Sequence, residues 1–239
     1  MMTCSVVIPV HNEGENIERF FMEFWDSIGD LRPRIAEVLL MENGSTDESF
    51  LACKKIENRL PSIVKVHRIP FPSYGEAVKQ GIMKACGDAV SVLEADVLDI
   101  GFLSSSLEVI EQKRADFVVA SKRHPESIDR RPFKRRVLTF LFNLYLKSHF
   151  RFPGTDTHGL KTIRTDIGKT LCDSSMTGGE VFQTEIVLLA YRFGYNVIEL
   201  PLRIREMRGT KVSIRKRMPK VLNIIRELEA SLSRFHAKK

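Results

Sequence analysis

The stretch CSVVIPVHNEGENIERFFMEFWDSIGD, residues 4–30, joins a short β-branched apolar run to a segment with apolar residues at helical spacing. The run at 4–10 is typical of a buried β-strand. In the segment 14–30 the apolar side chains recur every three or four positions, which predicts a helix with one buried face. A short polar loop, His11-Asn12-Glu13, connects the two. The stretch therefore predicts one strand–loop–helix unit.

The same pattern repeats through the first half of the chain. Further strands are predicted at residues 36–42, 64–70, 89–96 and 115–121, and further helices at 45–60, 74–86 and 101–114. Ser45 or Thr46 is the predicted N-cap of the helix at 45–60. Strands that alternate with helices of about a dozen residues predict a parallel sheet covered on both faces. We therefore expect a Rossmann-like α/β three-layer sandwich with a mostly parallel central sheet.

The second half is less regular. The pattern predicts helices at 137–150, 178–194 and 221–235, a loop, short strand and helix start within 154–171, and a strand at 195–204. The segment 137–150 is strongly apolar but too short to span a bilayer. The last helix has apolar residues on one face, and we expect this face to pack on its own domain or in a homodimer.

Composition limits the class of partner. The chain has 239 residues, of which 43% are hydrophobic, and this is enough for one sizeable core. The net charge of +7 predicts an anionic partner: nucleic acid, a phosphorylated substrate or an anionic lipid. No nucleic-acid reading motif is present, and acidic residues at the strand ends would repel a phosphate backbone. A nucleic-acid partner is therefore not expected.

The four cysteines are scattered without CxxC spacing, which predicts neither a zinc site nor a disulfide framework. Free thiols in a reducing compartment are the expected state. The N-terminal residues lack the charged region of a signal peptide, and no stretch of the sequence approaches about 20 uninterrupted apolar residues. We expect a cytoplasmic protein, either soluble or peripheral on the cytoplasmic face of a membrane.

Polar residues follow each of the first four predicted strands. His11-Asn12-Glu13 follows the first, Glu42 to Ser45 the second, Pro70 to Gly75 the third, and Glu94 and Asp96 end the fourth. In parallel sheets, ligands bind in the crevice outside the carboxyl ends of the strands. Two acids one residue apart can either hold a divalent cation or mark where a strand meets water. Four polar strand ends together predict a binding site.

Segments carrying these strand ends resemble the family 2 glycosyltransferases, which have the GT-A fold. The resemblance is strongest to the dolichyl-phosphate mannose synthase and polyprenyl-phosphate glycosyltransferase group. It covers residues 4–213 in order, in the segments VVIPVHNEGENI, LLMENGSTDES, SYGEAVKQGIMKACGDAVSVLEAD, TDTHGLKTIRTDI, GGEVFQTEIVLLAYRFGYNVIELPLRI and REMRGTKVS. It implies a GT-A domain at 1–213 followed by a basic amphipathic C-terminal helix at 214–239.

The resemblance implies transfer of a sugar, with inversion, from a GDP- or UDP-linked donor. Glu94 and Asp96 would hold Mg²⁺ or Mn²⁺, and the cation would neutralise the leaving diphosphate. The residues implied to bind the donor are Pro9, Asn12, Glu13, Glu42, Gly75, Glu94 and Asp96. Asp96 is the first catalytic candidate, since it would ligate the metal directly. A hydroxyl acceptor would need a general base, for which Asp156 and Glu185 are the candidates.

The implied acceptor is a polyprenyl phosphate or another membrane-associated molecule. Its phosphate would be bound by basic side chains, for which the candidates are Lys122, Arg123, Arg136, Arg205 and Lys211. The apolar segment 137–150 would lie at the membrane surface, with a membrane protein as a further partner to consider. A soluble sugar or glycan acceptor is the alternative, and a basic loop beside a core helix would account for the same residues.

Four departures from the family pattern leave a further alternative open. The first acid of the DxD motif is Glu94, and Leu98 stands where the related group often has Gln. Asn43 replaces the second acid after strand two, and Ala120-Ser121-Lys122 replaces the usual Gly-Ser-Arg. Glu94 moves the carboxylate by one methylene, and Asn43 and Leu98 remove metal ligands or hydrogen-bond acceptors. They would also suit a protein that binds nucleotide sugars but has lost transfer activity.

Overall fold

The computed structural model describes residues 1–95, 97, 99–127, 133–179, 181–202 and 214–233. The strands among them are β1 (Cys4–Val10), β2 (Ile35–Asn43), β3 (Val64–Ile69), β4 (Ala89–Val92), β5 (Phe117–Ser121), β6 (Lys161–Arg164) and β7 (Val197–Pro201). These seven form one sheet in the order β3-β2-β1-β4-β6-β5-β7.

The sheet is mostly parallel, as predicted. β1 pairs in parallel with β2 and β4, β2 with β3, and β5 with β7. β6 runs antiparallel to both of its neighbours, β4 and β5. The carboxyl ends of six strands therefore meet at one edge, and the start of β6 lies at the same edge. For this reason the loop that leads into β6 joins the strand-end loops.

Helices cover both faces of the sheet. The structure has α1 (Ile17–Ser27), α2 (Ser49–Arg59), α3 (Tyr74–Lys84), α4 (Ile100–Glu111), α5 (Phe133–Phe150), α6 (Thr165–Ser174), α7 (Phe182–Arg192) and α8 (Ile214–Ser233). Apolar residues of α1, α2 and α4 form one core, and those of α3 and α5 to α8 form the other. The three-layer prediction is confirmed.

Side chains of β1 supply both cores, as the two-residue period of a strand requires. Val6 and Ile8 belong to the first core, whereas Val7 belongs to the second, and all three are fully buried. Gly81 of α3 lies against Val7, where an added Cβ would approach Val7 Cγ1 to 2.4 Å. The third helix therefore packs closely on the central strand and places its N-terminus at the strand-end edge.

Several predicted boundaries were wrong. α1 ends at Ser27 and is followed by a 3₁₀ helix over Gly29–Arg34, which contains a proline. α2 begins at Ser49 rather than at 45, because the Ser45 hydroxyl accepts a hydrogen bond from the backbone of Asn12 and the Asp47 carboxylate accepts from Ser49 N. β4 ends at Val92, four residues before the predicted end.

The C-terminal helix packs on the same domain. Leu228 and Leu232 of α8 are buried in the second core, and Arg192 of α7 donates a hydrogen bond to the Leu232 carbonyl at 3.0 Å. Tyr145 of α5 donates to Glu229 at 2.7 Å. α8 therefore joins α7 to α5. Of the helices described, none combines the length and the apolar character needed to cross a bilayer.

Candidate functional site at the strand ends

The loops after β1 and β2 are tied to one another. Asn12 has a φ of +52° and its Oδ1 accepts a hydrogen bond from Thr46 N at 2.9 Å. Asparagine tolerates this left-handed conformation better than most residues. Glu13 N donates to Ser49 Oγ at 2.7 Å, and the His11 ring contacts the Asn43 carbonyl at 2.7 Å. Asn12 and Glu13, two predicted donor-binding residues, thus lie in a loop that is hydrogen-bonded to the N-terminus of α2 and to the loop before it.

Glu42 is fully buried and hydrogen-bonded within the protein. Its carboxylate accepts from Ser45 N at 2.6 Å and from Arg68 Nε at 3.1 Å. The Arg68 side chain is 60% exposed and its guanidinium lies 4.9 Å from the Phe50 ring centre. A donor molecule that reaches Glu42 would therefore first meet Arg68. The neighbouring Asn43 is also buried.

Gly75 lies where α3 meets the loop before α7. An added Cβ at Gly75 would lie 2.1 Å from Gly179 O and 2.4 Å from Gly178 O. The Ser73 hydroxyl donates to Gly178 O at 2.6 Å, and Ser73 N donates to Asn43 Oδ1 at 2.6 Å. Because Gly75 has no side chain, the start of α3 can pack closely against the loop before α7. Close approach to a donor, the role predicted from the sequence, stays a prediction.

Glu94 follows the end of β4 and is half-buried at the strand-end edge. Its carbonyl accepts a hydrogen bond from Val97 N at 2.9 Å. Asp96 and Leu98 themselves lie outside the described residues. Among the residues described, no group of three or more His, Cys, Asp or Glu is placed to hold a metal ion.

The available ligand chemistry fits a cation that arrives with its substrate. Mg²⁺ in substrate complexes is commonly bound by one or two carboxylates together with phosphate oxygens, and a cage of protein ligands is not needed. Glu94 supplies one such carboxylate oxygen donor at the strand ends. The residues that would hold the cation are Glu94 and Asp96.

Lys161, at the start of β6, was not predicted as a site residue. Its ammonium is buried and donates to Gly159 O at 2.8 Å and to Gln183 Oε1 at 2.7 Å. Burial lowers the pKa of Lys161 to about 8, although the carboxylates of Asp156 and Glu94 favour its charged form. The sequence gives little signal of this burial, because Lys161 begins the mixed segment Lys-Thr-Ile-Arg. Once buried, its charge needs the partners that Gly159 and Gln183 supply.

Asp156 is buried, and both of its carboxylate oxygens accept backbone hydrogen bonds. Oδ2 accepts from Lys122 N at 3.1 Å and Oδ1 from His158 N at 2.9 Å. Glu199 of β7 in turn accepts from Asp156 N at 3.3 Å. The geometry makes Asp156 a brace between the loop after β5 and the loop before β6. Its predicted role as a general base is not tested by this geometry.

Glu185 is fully buried in α7. Its oxygens accept from Met176 N at 2.9 Å and from Thr177 N at 3.0 Å, and the Ser231 hydroxyl of α8 also donates to it. These contacts hold the loop before α7 against the C-terminal helix. The general-base role of Glu185 stays a prediction, and any acceptor would need a path to this buried position.

Basic residues lie in the loop after β5 and at the start of α5. Lys122 is half-buried, whereas Arg123 and Arg136 are exposed. The guanidinium of Arg123 lies 5.2 Å from the ring centre of Phe140 on α5. Of the five predicted phosphate-binding residues, Lys122 and Arg123 therefore lie in the loop after β5, and Arg136 lies in the first turn of α5. Arg205 and Lys211 lie outside the described residues.

Comparison with known proteins places this arrangement in context. The model of the family "Glycosyl transferase family 2" matches residues 5–167. Glycosyltransferase AglD of Haloferax volcanii is 26% identical over 216 residues; the match covers 88% of this chain and 34% of that protein, so the chain spans about a third of this relative. The dolichyl-phosphate beta-glucosyltransferase of Saccharomyces cerevisiae is 26% identical over 242 residues, covering 88% of this chain and 69% of that protein.

Solved structures show the same fold. Glucosyl-3-phosphoglycerate synthase from Mycobacterium tuberculosis, in complex with Mn²⁺, UDP-glucose and phosphoglyceric acid, superposes with a TM-score of 0.68 at 19% identity. The match covers 97% of this chain and 80% of that one. At this level of identity the likeness concerns the fold alone. The GT-A architecture predicted from the sequence is confirmed.

Proposed function

The chain belongs to glycosyl transferase family 2, and on that premise we propose that it transfers a sugar, with inversion, from a nucleotide diphosphate sugar to a polyprenyl phosphate or another membrane-associated acceptor. The observation that carries the acceptor assignment is an exposed apolar face on α5, next to the basic end of β5. Relatives that act on dolichyl phosphate by name support the same class of acceptor.

The α5 face consists of Val137, Phe140, Leu141 and Leu144, at positions i, i+3, i+4 and i+7 of one helix. Their side chains are between 38% and 54% exposed. An apolar stripe of this kind, flanked by cationic residues, suits a helix that lies in the interface of an anionic membrane. Arg123 and Arg136 flank the stripe. A polyprenyl chain in the membrane would carry its phosphate to the same place.

The chemistry of a phosphate acceptor agrees with the state of the carboxylates. A phosphate monoester is ionised near pH 7, since its second pKa is about 6, and it needs no general base before it attacks the sugar. The two general-base candidates, Asp156 and Glu185, already accept hydrogen bonds from the protein backbone. Lys122 and Arg123 would bind the acceptor phosphate and orient one of its oxygens toward the anomeric carbon.

The donor would lie over the strand ends of β1, β2 and β4. Asn12 and Glu13 border the space for the nucleoside, and Glu94 with Asp96 would hold the cation beside the diphosphate. The cation supplies positive charge that stabilises the leaving nucleoside diphosphate. UDP and GDP are both candidates. The structural relative bound to Mn²⁺ and UDP-glucose supports a divalent cation and a nucleotide-sugar donor.

The test of donor binding is calorimetric titration with UDP and GDP, with and without Mn²⁺. We expect one nucleotide to bind with micromolar affinity only when Mn²⁺ is present, and both Glu94→Ala and Asp96→Ala to abolish this metal-dependent binding. Glu108→Ala, an acid on the last turns of α4, is the matched control. Binding that does not depend on metal would refute the cation site, and absence of binding to either nucleotide would refute the transferase assignment.

The test of the acceptor uses phytanyl phosphate and 3-phosphoglycerate, each with UDP-glucose and with GDP-mannose. Transfer to phytanyl phosphate is the expected result. Transfer to 3-phosphoglycerate alone would support a soluble acceptor, the alternative suggested by the structural relative that was crystallised with phosphoglyceric acid.

Leu141→Glu should also abolish co-sedimentation with anionic vesicles. Leu51→Glu, at a similarly exposed leucine on α2, should not.

A further inference from the structure

Glu199 of β7 receives hydrogen bonds from the loop that leads into β6. Its carboxylate accepts from Thr155 N at 2.5 Å, from Asp156 N at 3.3 Å and from the Thr155 hydroxyl. Gly154 allows this approach, because an added Cβ there would lie 2.7 Å from Glu199 Oε1. An ionised carboxylate can only accept hydrogen bonds, so all three groups act as donors to it.

The Thr155 hydroxyl connects Glu199 to Ser121 at the end of β5. Thr155 Oγ1 lies 2.6 Å from Ser121 Oγ, and Ser121 Oγ accepts from Arg123 N at 3.1 Å. Because Thr155 donates to Glu199, Ser121 must donate to Thr155. The Ser121 oxygen then has its lone pairs turned toward Arg123. Glu199 therefore sets the direction of three consecutive hydrogen bonds, from the arginine amide to the carboxylate.

A second route reaches the neighbouring amide. Asp156, whose N–H donates to Glu199, accepts from Lys122 N through Oδ2 at 3.1 Å. Ser127 closes the far end of the same loop, since its hydroxyl donates to Ser121 O at 2.6 Å and accepts from Leu202 N at 2.9 Å. We name residues 122–127 the β5 loop. Hydrogen bonds therefore connect the backbone N–H groups of its first two residues, Lys122 and Arg123, to Glu199.

The β5 loop can therefore offer a phosphate its basic side chains but not its first two backbone N–H groups. We propose that Glu199 is a positioning residue for the acceptor, which holds the β5 loop so that the side chains of Lys122 and Arg123 converge on the acceptor phosphate. This inference rests on the proposed function. It assigns a role to Glu199 of β7, the strand that pairs with β5 at the end of the sheet.

The experiment compares Glu199→Gln with the unaltered protein in transfer from UDP-glucose or GDP-mannose to phytanyl phosphate. A glutamine has the same shape, but its amide group donates where the carboxylate accepted, so the relay loses its fixed direction. The loss of one or two such hydrogen bonds predicts a KM for phytanyl phosphate about tenfold higher. We expect kcat and the affinity for the nucleotide to change less than twofold.

Three further variants separate positioning from general destabilisation. Thr155→Val removes the hydroxyl and should raise the acceptor KM as Glu199→Gln does, whereas Thr155→Ser keeps the hydroxyl and should behave like the unaltered protein. Glu37→Gln removes a buried carboxylate at the opposite edge of the sheet and should lower stability without changing the acceptor KM. Hydrogen exchange of the Arg123 amide should be about tenfold faster in Glu199→Gln and in Thr155→Val. That of the Lys122 amide, which is held through Asp156, should be faster in Glu199→Gln only.

Several outcomes would overturn the inference. Unchanged amide exchange in Glu199→Gln, with transfer intact, would refute the relay and leave the proposed function standing. A fall in kcat at constant KM would assign Glu199 to the chemical step instead. An equal rise of KM in Glu37→Gln would reduce the effect to stability. Absence of any transfer by the unaltered protein would overturn the acceptor assignment together with this inference.

Discussion

Replacement of Lys161 by methionine is the most informative single change, because it removes a charge that folding buries. The fall of the Lys161 pKa from 10.5 to about 8 corresponds to a cost of roughly 3 kcal/mol at neutral pH, at about 1.4 kcal/mol per unit. Lys161→Met removes this cost. It also leaves Gly159 O and Gln183 Oε1 without a donor, which costs about 1–3 kcal/mol each. We expect these effects nearly to cancel at pH 7.

The pH dependence gives a sharper expectation than the absolute stability. A lysine with a lowered pKa in the folded state binds its proton less tightly there than in the unfolded chain, so stability rises with pH between about 8 and 10.5. The cost of burial falls from about 3 kcal/mol at pH 7 to about 2 kcal/mol at pH 9. The stability of Lys161→Met relative to the unaltered protein should therefore fall by about 1 kcal/mol between pH 7 and pH 9.

Urea unfolding at pH 7 and pH 9 measures this difference. Lys84→Met, at an exposed lysine on α3, is the control and should differ from the unaltered protein by the same amount at both pH values. A second variant, Lys161→Met with Gln183→Leu, replaces the polar pair by apolar groups and should be more stable than either single variant. If the urea midpoints of Lys161→Met and the unaltered protein move in parallel between pH 7 and pH 9, the buried charge does not exist.

Three further results are expected. Gly75→Ala should lower stability by about 1–3 kcal/mol in thermal unfolding, since its Cβ would meet two carbonyls, whereas Gly179→Ala, whose Cβ meets nothing within 4 Å, should be neutral. Burial would raise the pKa of Glu37, but hydrogen bonds from Lys65 and others outweigh it and lower the pKa to about 2. Glu37→Gln should therefore lower the free energy of unfolding by about 2 kcal/mol at pH 7, a value reduced for solvent screening because Lys65 is half exposed. This loss of stability should shrink as the pH falls from 4.5 toward 2, and a loss that stays constant over that range would contradict the lowered pKa. Asp156→Asn should reduce transfer to phytanyl phosphate less than tenfold, because the loss of a true general base would cost about 10²–10⁴.

The fold was largely predictable because its signals are local. The continuous apolar run at 4–10 and the period of three to four at 14–30 each depend on neighbouring residues, and they correctly predicted that β1 and α1 exist, although α1 is shorter than predicted. The position of β6 was not predictable in this way. Its four residues pair with β4 and β5, which precede it by about 40 to 70 residues, and no local pattern records that choice or its antiparallel direction.

The candidate site was predictable in its location and less so in its details. Polar residues after successive strands indicated the edge of the sheet, and the structure brings Asn12, Glu13 and Glu94 to that edge. The burial of Glu42 under Arg68 depends on the pairing of β2 with β3. The sequence pattern of an acid after an apolar run is the same whether the acid faces a ligand or an arginine.

The amino-acid sequence by itself determined the sheet-and-helix architecture, the family and the edge at which polar residues collect, since periodicity and motif spacing are properties of the chain. Only the tertiary structure decided which polar residues are committed to the protein. Glu185 meets Ser231 across 46 positions, and Thr155 meets Glu199 across 44. Such partners are distant in the chain, so a carboxylate that braces a loop and one that awaits a substrate look alike until the chain is folded.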